Sequence, residues 1–268
     1  MMEEEKNVSQ RWVQELRDEG YEYHVSALKD CRQLELSRVW QRIFKVTQLN
    51  PSGKLRVLEV GCGGGIQLAK LAALGCECIG IDVSREVLTR AENYFSEIRD
   101  VCGQELDIKL LARDFYDLDR TELGGCFDLV FNFGVIEHIL DDSARFTFLK
   151  KKYELTREGG YIVSMVPNGA HPLRNKMKSL NLGGYNIPEI DYNQHLMEEE
   201  FKAIGAKQII ILPHNLFIYL LMEKKNLCID WLKKLIYLGM QAVPWAFLPE
   251  DFCYRHAGSL IGIGRKSG

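Results

Sequence analysis

Apolar positions in the middle of the chain follow two patterns that alternate with each other. Short continuous apolar runs, bounded by glycine or polar residues, are typical of strands buried on both faces, and runs with helical spacing separate them. This alternation predicts a mostly parallel β-sheet covered by helices on both sides, which is a doubly wound, Rossmann-like α/β fold. The predicted strands are Leu55–Val60, Cys76–Asp82, Ile108–Ala112, Phe127–Phe131 and Tyr161–Val166.

Helices are predicted before the first strand and between the strands. The apolar residues of segment 27–49 recur at helical spacing, and the dipeptide Asn50-Pro51 ends that pattern. Ser84 is a suitable N-cap for the helix that follows the second strand, because its hydroxyl can accept from a main-chain N–H in the first turn. The other predicted helices are 8–19, Ile66–Leu74 and Ser143–Thr156.

The pattern becomes irregular after the fifth strand. Residues 167–195 are rich in glycine, proline and asparagine and hold no clear element, which is typical of a functional loop or lid. Segment 214–254 is largely apolar, and we expect it to be a helical insertion packed over the domain before the last strand. A short helix at 196–204 and two last strands, Gln208–Leu212 and Ser259–Gly264, complete the predicted elements.

These elements suggest a division of the chain into an N-terminal helical lid region, 1–50, and one main domain, 51–268. The 167–195 loop and the 214–254 insertion would together form a cap over a substrate. Tyr21, Tyr23 and His24 are either part of the lid or a turn between two helices. We expect the 214–254 segment, which includes WLKKLIYLGM, to provide ordinary packing or a dimer contact, and a helix that rests on a membrane surface is the alternative.

Composition excludes several classes of protein. The 268 residues, 46% of them hydrophobic, support one large buried core, and a net charge of −3 gives no overall field that favours nucleic acid. The longest apolar run has seven residues, which is far below the roughly 20 that a membrane span needs. The start MMEEEK lacks the apolar core of a secretory signal, so we expect a cytoplasmic protein.

The eight cysteines show neither a C-x-x-C pair nor zinc-ligand spacing. We therefore expect reduced, buried thiols and no metal site.

A glycine-rich loop follows the first predicted strand. Gly61, Gly63 and Gly65 allow the main chain to approach a ligand closely at the carboxyl end of that strand. The fingerprint of NAD-binding proteins requires another glycine where this chain has Ile66. Glu59, just before the loop, would repel a pyrophosphate and favours a cofactor that carries positive charge.

Acidic residues also end the next two strands. Asp82 can accept hydrogen bonds from ribose hydroxyls in either class of nucleoside cofactor. Asp114 and Phe115 follow the third strand, where a carboxylate can accept from an adenine amino group and a ring can lie against the base. For Asp114, a purely local role as a cap of the loop is the alternative.

The chain resembles the class I S-adenosylmethionine-dependent methyltransferases, in particular the small-molecule branch that includes the ubiquinone-biosynthesis type. The resemblance covers roughly residues 50–168, and beyond them only the strand pattern agrees. The residues that carry it, in order, are Val57–Gly63, Gly80–Ser84, Arg113–Phe115, Phe127–Val130, Glu137-His138, and Gly159-Gly160 with Val166–Asn168.

This resemblance implies a seven-stranded sheet whose last strand, Ser259–Gly264, is antiparallel, and S-adenosylmethionine as the cofactor. The glycine loop would hold the methionine part, with Asp82 and the neighbouring Val83 at the ribose, and Asp114 and Phe115 around adenine. Asn132 and Phe133 would approach the methionine amino group through their main chain.

Methyl transfer is an in-line displacement in which positioning of the acceptor accounts for much of the rate. His138 is the best candidate for a general base, and a loop-shaping role for Glu137-His138 is the alternative. The sequence Asn132-Phe133-Gly134-Val135 lacks the prolines of enzymes that methylate nucleic-acid bases, so a small or lipid-like acceptor is expected. An NAD-dependent oxidoreductase and a non-catalytic S-adenosylmethionine-binding protein are the competing hypotheses.

Overall fold

A seven-stranded sheet forms the centre of the computed structural model, which describes residues 28–179, 188–221, 226–242 and 247–268. The strand order is β3-β2-β1-β4-β5-β7-β6, and β7 alone runs antiparallel to its neighbours. The predicted fold class is thereby confirmed. The strands are β1 Arg56–Val60, β2 Glu77–Asp82, β3 Ile108–Ala112, β4 Phe127–Phe133, β5 Thr156–Pro167, β6 Lys207–Leu216 and β7 Ala257–Arg265.

Helices cover the sheet and connect its strands. Short 3₁₀ helices lie at Cys31–Leu34, Pro51–Gly53, Phe115–Asp117, Ile136–His138 and Ile218–Leu221. The α-helices in the described residues are α1 Arg38–Thr47, α2 Ile66–Ala72, α3 Arg85–Cys102, α4 Asp142–Leu155, α5 Arg174–Ser179, α6 Gln194–Ala203, α7 Leu227–Ala242 and α8 Glu250–His256.

The helix boundaries that rest on local chemistry were predicted well. Ser84 caps α3 as expected, with its hydroxyl oxygen accepting from the Val87 N–H at 3.4 Å. The long helix predicted over 27–49 is wrong, because Glu35 and Ser37 are extended and separate a 3₁₀ turn from α1. Asp30 favours this break, since its carboxylate caps the 3₁₀ turn by accepting from the Arg32 N–H at 2.8 Å.

Helix α1 is part of the core rather than a separate lid. The Trp40 side chain is fully buried, and its ring lies 4.8 Å from Phe131 and 5.4 Å from Phe133, both on β4. The indole N–H donates to the Gln67 side chain on α2 at 2.8 Å. Residue 50 is therefore no boundary between packed units, and the expected lid residues Tyr21, Tyr23 and His24 and helix 8–19 lie outside the described residues.

The expectation that all cysteines are reduced is wrong. Cys31 and Cys102 form a disulfide, with their Cα atoms 5.8 Å apart. Leu34 and Ile98 pack in a small apolar cluster on the two elements that the bond joins, and this packing brings the two cysteines together. No pattern in the sequence indicated the pairing, because 71 residues separate the two positions.

Two further differences concern the region after β5. Helix α5 lies within the 167–195 segment, where no element was predicted. The predicted insertion begins later than expected, since His214–Leu216 complete β6. Its main helix, α7, does not bury its apolar side against the domain, and Trp231 is 64% exposed. Among the described residues, no helix has both the length and the apolar character needed to cross a membrane.

The disulfide leads to a stability prediction. Replacing Cys102 with serine should lower the free energy of unfolding by about 2–5 kcal/mol, because a cross-link over a long loop restricts the unfolded chain. Urea unfolding with and without reductant measures this difference. Cys228→Ser, at an exposed free cysteine, is the matched control and should leave the midpoint unchanged. Equal midpoints for the oxidised and reduced wild-type protein would contradict the bond.

Candidate functional site

The glycine loop lies between β1 and α2, and its glycines are required by geometry. Gly61, Gly63 and Gly65 have φ angles of 71°, 53° and 72°, and residues that carry a Cβ atom rarely adopt such values. A Cβ atom on Gly61 would lie 2.5 Å from a methyl carbon of Val135, and one on Gly65 would lie 2.4 Å from the Phe95 ring. The loop therefore passes close to the end of β4 on one side and to α3 on the other.

Asp82, at the end of β2, attaches this loop to the neighbouring strand. One carboxylate oxygen accepts from the Gly63 N–H at 3.0 Å, and the other accepts from the Ser84 N–H at 2.9 Å. Burial raises the pKa of Asp82, and these main-chain bonds oppose that effect. Each oxygen has a second lone pair, so the carboxylate can still accept from a ligand. Val83 beside it is 43% exposed and offers an apolar surface.

Glu59 is a buried acid beneath the loop. Its side chain is 3% exposed, and one carboxylate oxygen, Oε2, has no hydrogen-bond partner in the described part of the chain. Burial and the nearby charge of Asp82 raise its pKa well above the usual range. A cationic ligand beside this oxygen would lower the pKa of Glu59 again and hold it as a carboxylate, whereas a phosphate would raise that pKa further, so the group fits a cation.

A crevice opens between β1 and β4, where the strand order reverses. The pairing of these strands ends at Glu59 and Phe131, whereas β4 stays paired with β5 as far as Phe133 and Met165. The main chain at Asn132 and Phe133 therefore borders the crevice on its β1 side. In open α/β sheets, ligands bind at this switch point, beyond the carboxyl ends of the strands.

The side chains of Asn132 and Phe133 point into the protein. The side-chain oxygen Oδ1 of Asn132 accepts from Lys152 and Ser164 in the core, and the Phe133 ring packs on Trp40. The main chain of both residues borders the crevice, and the contact with a methionine amino group that the family resemblance implies for it stays a prediction.

Lys152 is a buried charge that sequence reasoning missed. Its side chain is fully buried, and its ammonium donates to Asn132 Oδ1, to the Val163 carbonyl oxygen at 2.9 Å and to Ser164 Oγ at 2.8 Å. Burial lowers its pKa well below the usual range. Helical spacing could have indicated that Lys152 is buried, because it lies four residues after Phe148 on the buried face of α4.

Asp114 and Phe115 are placed differently from each other. Asp114 is exposed and caps the adjacent 3₁₀ turn, accepting from the Tyr116 N–H at 2.9 Å. Phe115 is 4% exposed, and its ring packs in the core 5.3 Å from Phe148. The Phe115 ring is thus not open to stack on a base, and Asp114 is the member of the pair that faces solvent.

Glu137 and His138 are both buried in the 3₁₀ turn after β4. The His138 Nδ1 atom lies 3.1 Å from the carbonyl oxygen of Pro188. Because a carbonyl oxygen only accepts, Nδ1 carries the proton and Nε2 is the basic nitrogen of the neutral ring. Burial lowers the pKa of His138, so the ring is neutral near pH 7.

Glu189 joins this pair from a distant part of the chain. The Ile190 N–H donates to the Glu137 carbonyl oxygen at 2.8 Å and fixes the segment beside the turn. Glu137, His138 and Glu189 each place one ligand atom within 4.8 Å of the others, a geometry that can hold a cation. Arg174 pairs with Glu189 and neutralises it. Sequence reasoning missed Glu189, because it lies far along the chain from His138 and spacing carried no signal.

The Glu137 carboxyl is the second buried acid of the site. Its Oε2 atom has no partner in the described residues, and burial raises its pKa to about 8. The carboxyl is therefore mostly protonated near pH 7, unlike an ordinary glutamate.

A cleft of about 570 Å³ lies beyond the carboxyl end of β5. Asn168, Asn193, His195, Tyr254 and Arg255 are among the residues that line it. The residues of the Glu137–His138 turn are not part of its lining, so the cleft and the turn are separate features.

Residues 57–160, which include the glycine loop and the β4 turn, match the sequence profile of a family described as methyltransferase domain. A SAM dependent methyltransferase from Archaeoglobus fulgidus has a similar structure, with a TM-score of 0.55 and 17% identity, covering 85% of this chain and 93% of that one. This likeness concerns the fold. Residues 57–160 thus match a methyltransferase domain, and the fold around them is shared with an S-adenosylmethionine-dependent methyltransferase.

Curated relatives point to the same class. The chain is similar to the ubiquinone biosynthesis O-methyltransferase of Ruegeria pomeroyi, with 31% identity over 110 residues, or 41% of this chain and 40% of that protein. The corresponding protein of Mesorhizobium japonicum is 26% identical over 167 residues, covering 53% of this chain and 63% of its own length. The chain thus spans less than two thirds of the length of these relatives.

The Gly61 contact with Val135 yields a prediction about the loop. Gly61→Ala should lower the free energy of unfolding by about 1–3 kcal/mol more than Gly75→Ala, because its Cβ atom overlaps Val135. Gly75 is the control, since it also has a positive φ but has no atom within 4 Å of the position that a Cβ atom would take. Urea unfolding of the two variants measures the difference, and equal stabilities would show that the loop yields at this contact.

Proposed function

We propose that this protein transfers a methyl group from S-adenosylmethionine to a hydroxyl group of a small-molecule acceptor. The observation that carries the choice of cofactor is the buried Glu59 carboxylate with its orphaned oxygen beneath the glycine loop. S-adenosylmethionine carries an ammonium and a sulfonium, which this acid attracts, whereas the pyrophosphate of NAD would be repelled. When bound, the cofactor supplies a methyl carbon that a nucleophile displaces in line from sulfur.

Each predicted contact has a residue suited to it. Glu59 would balance the positive charge of the cofactor, and the Asp82 carboxylate would accept from the ribose hydroxyls. The main chain at Asn132 and Phe133 borders the crevice and would accept from the ammonium, while Asp114 would accept from the adenine amino group. These assignments follow from the donors and acceptors that the crevice offers.

His138 is the residue that would remove the proton of the acceptor. The contact of Nδ1 with Pro188 fixes the tautomer, so Nε2 is the atom that takes the proton. The resemblance to O-methyltransferases supports a hydroxyl acceptor, which must lose its proton as the new bond forms. The buried Glu137, with its raised pKa, would remain neutral beside the ring and would not hold it in the protonated form.

The competing hypotheses fare less well. Glu59 argues against an NAD-dependent oxidoreductase, and Ile66 occupies the position that its fingerprint reserves for glycine. A non-catalytic S-adenosylmethionine-binding protein has no use for a buried histidine held in one tautomer beside the crevice. We also propose that the acceptor is apolar or lipid-like.

Cofactor binding tests the role of Glu59. Titration calorimetry of the wild-type protein should show binding of S-adenosylmethionine, and Glu59→Gln should weaken it by about 5- to 100-fold through loss of the charge interaction. Glu77→Gln is the matched control, because it removes the same charge at the far end of the neighbouring strand. Binding of NAD without binding of S-adenosylmethionine would overturn the proposal.

Kinetics test His138 separately. With a panel of phenols and catechols as acceptors and release of S-adenosylhomocysteine as the signal, His138→Gln should lower kcat by about 10²–10⁴-fold. Wild-type activity should fall only at a pH below the usual histidine range, because the pKa of His138 is lowered, and the variant should lose this limb. His195→Gln, at an exposed histidine, is the control. An unchanged kcat and pH profile in His138→Gln would exclude His138 as the base.

A further inference from the structure

Helix α7 presents its apolar side to solvent. Eight of the fifteen large apolar side chains that are exposed in the described residues lie between Leu227 and Phe247. Leu227 is 90% exposed, Trp231 is 64% exposed and Leu232 is 54% exposed. Proteins rarely leave so much apolar surface together unless it meets a partner or a membrane.

The helix lies on the domain with its more polar edge. The half-buried positions are Asp230, Lys233, Tyr237 and Met240, which repeat at helical spacing and form one stripe along the helix. This stripe contacts β6 and the 3₁₀ turn Ile218–Leu221. An ordinary surface helix is oriented the other way, with its apolar stripe against the core.

The exposed apolar arc is too broad for a pair of helices. At 100° per residue, the exposed apolar side chains from Leu227 to Leu238 cover roughly 200° of the helix circumference. Two helices that pack together bury a narrow seam on each, which would leave most of this arc in water. A flat apolar phase buries the whole half-cylinder at once.

Charge at the edge of the arc points to the kind of surface. Lys234 lies at the exposed border of the arc, whereas Lys233 is half-buried on the side that faces the domain and pairs there with the acidic Asp230 at 3.9 Å. A lysine at such a border can bury its methylene groups beside the arc and reach outward with its ammonium group. Lys234 therefore matches the phosphate groups of a bilayer that contains anionic lipid.

We propose that the exposed apolar face of α7 docks parallel to the surface of a bilayer containing anionic lipid. At 1.5 Å per residue the helix is about 24 Å long, which suits a helix lying in the interface better than one crossing it. The docking does not depend on methyl transfer and would hold for any activity of the domain.

The docked face lies one layer from the candidate site. Tyr219 belongs to the 3₁₀ turn on which α7 rests, and its hydroxyl lies 3.5 Å from the Arg174 guanidinium. Arg174 in turn pairs with Glu189 beside His138. Docking through α7 would therefore bring the β4 turn close to the bilayer, which suits an acceptor dissolved in lipid.

Flotation with vesicles tests this proposal on the full chain. Wild-type protein should float with phosphatidylcholine vesicles that contain phosphatidylglycerol, and the double variant Trp231→Ser, Leu235→Ser should bind about tenfold or more weakly. Val101→Ser, Phe146→Ser removes exposed apolar groups from α3 and α4 and should bind like the wild type. Lys234→Gln should weaken binding about fivefold to the anionic vesicles and little to pure phosphatidylcholine.

Three outcomes would overturn the proposal. The first is a wild-type protein that stays at the bottom of the gradient with every vesicle. The second is an equal loss of binding in both double variants. The third is a wild-type protein that does not bind vesicles and is a dimer by light scattering. If Trp231→Ser, Leu235→Ser converted that dimer to a monomer, the face would be assigned to contact with a second copy of the chain.

Discussion

The carboxylate of Asp82 is the interaction on which the rest of the site depends. By accepting from the Gly63 and Ser84 N–H groups, it fixes the glycine loop to the end of β2 and starts α3 at the same point. The loop then runs close to Val135, so its position also sets the edge of the β4 turn. A change at this one carboxylate would therefore shift both the glycine loop and the β4 turn.

Several buried ionisable side chains lie around the site. Lys152 is satisfied by three acceptors and costs the fold little beyond desolvation. Glu59 and Glu137 each keep an oxygen without a partner in the described residues, which is unfavourable by itself and useful if a ligand completes it. Polar groups left incomplete in this way are typical of functional sites. The proposed cofactor would satisfy the first of them.

Local patterns were sufficient for most of the fold. Continuous apolar runs placed the strands, and β3 matches its predicted bounds even though it is an edge strand whose residues are half-buried or exposed. The glycine loop and Asp82 were also found from sequence, since positive φ angles and strand-end acids are local requirements. The outward orientation of α7 was not found, because an apolar pattern shows which side is apolar and not what that side meets.

The sequence by itself determined the strands of the sheet and the glycine loop, since these depend on neighbouring residues. It also carried the motifs by which the chain resembles enzymes that use S-adenosylmethionine as methyl donor. Tertiary structure alone decided the contacts between distant segments. The Cys31–Cys102 disulfide and the position of Glu189 beside His138 both join residues with no shared local pattern. Such contacts arise from how whole elements pack, and packing is a property of the folded chain that no short window of sequence contains.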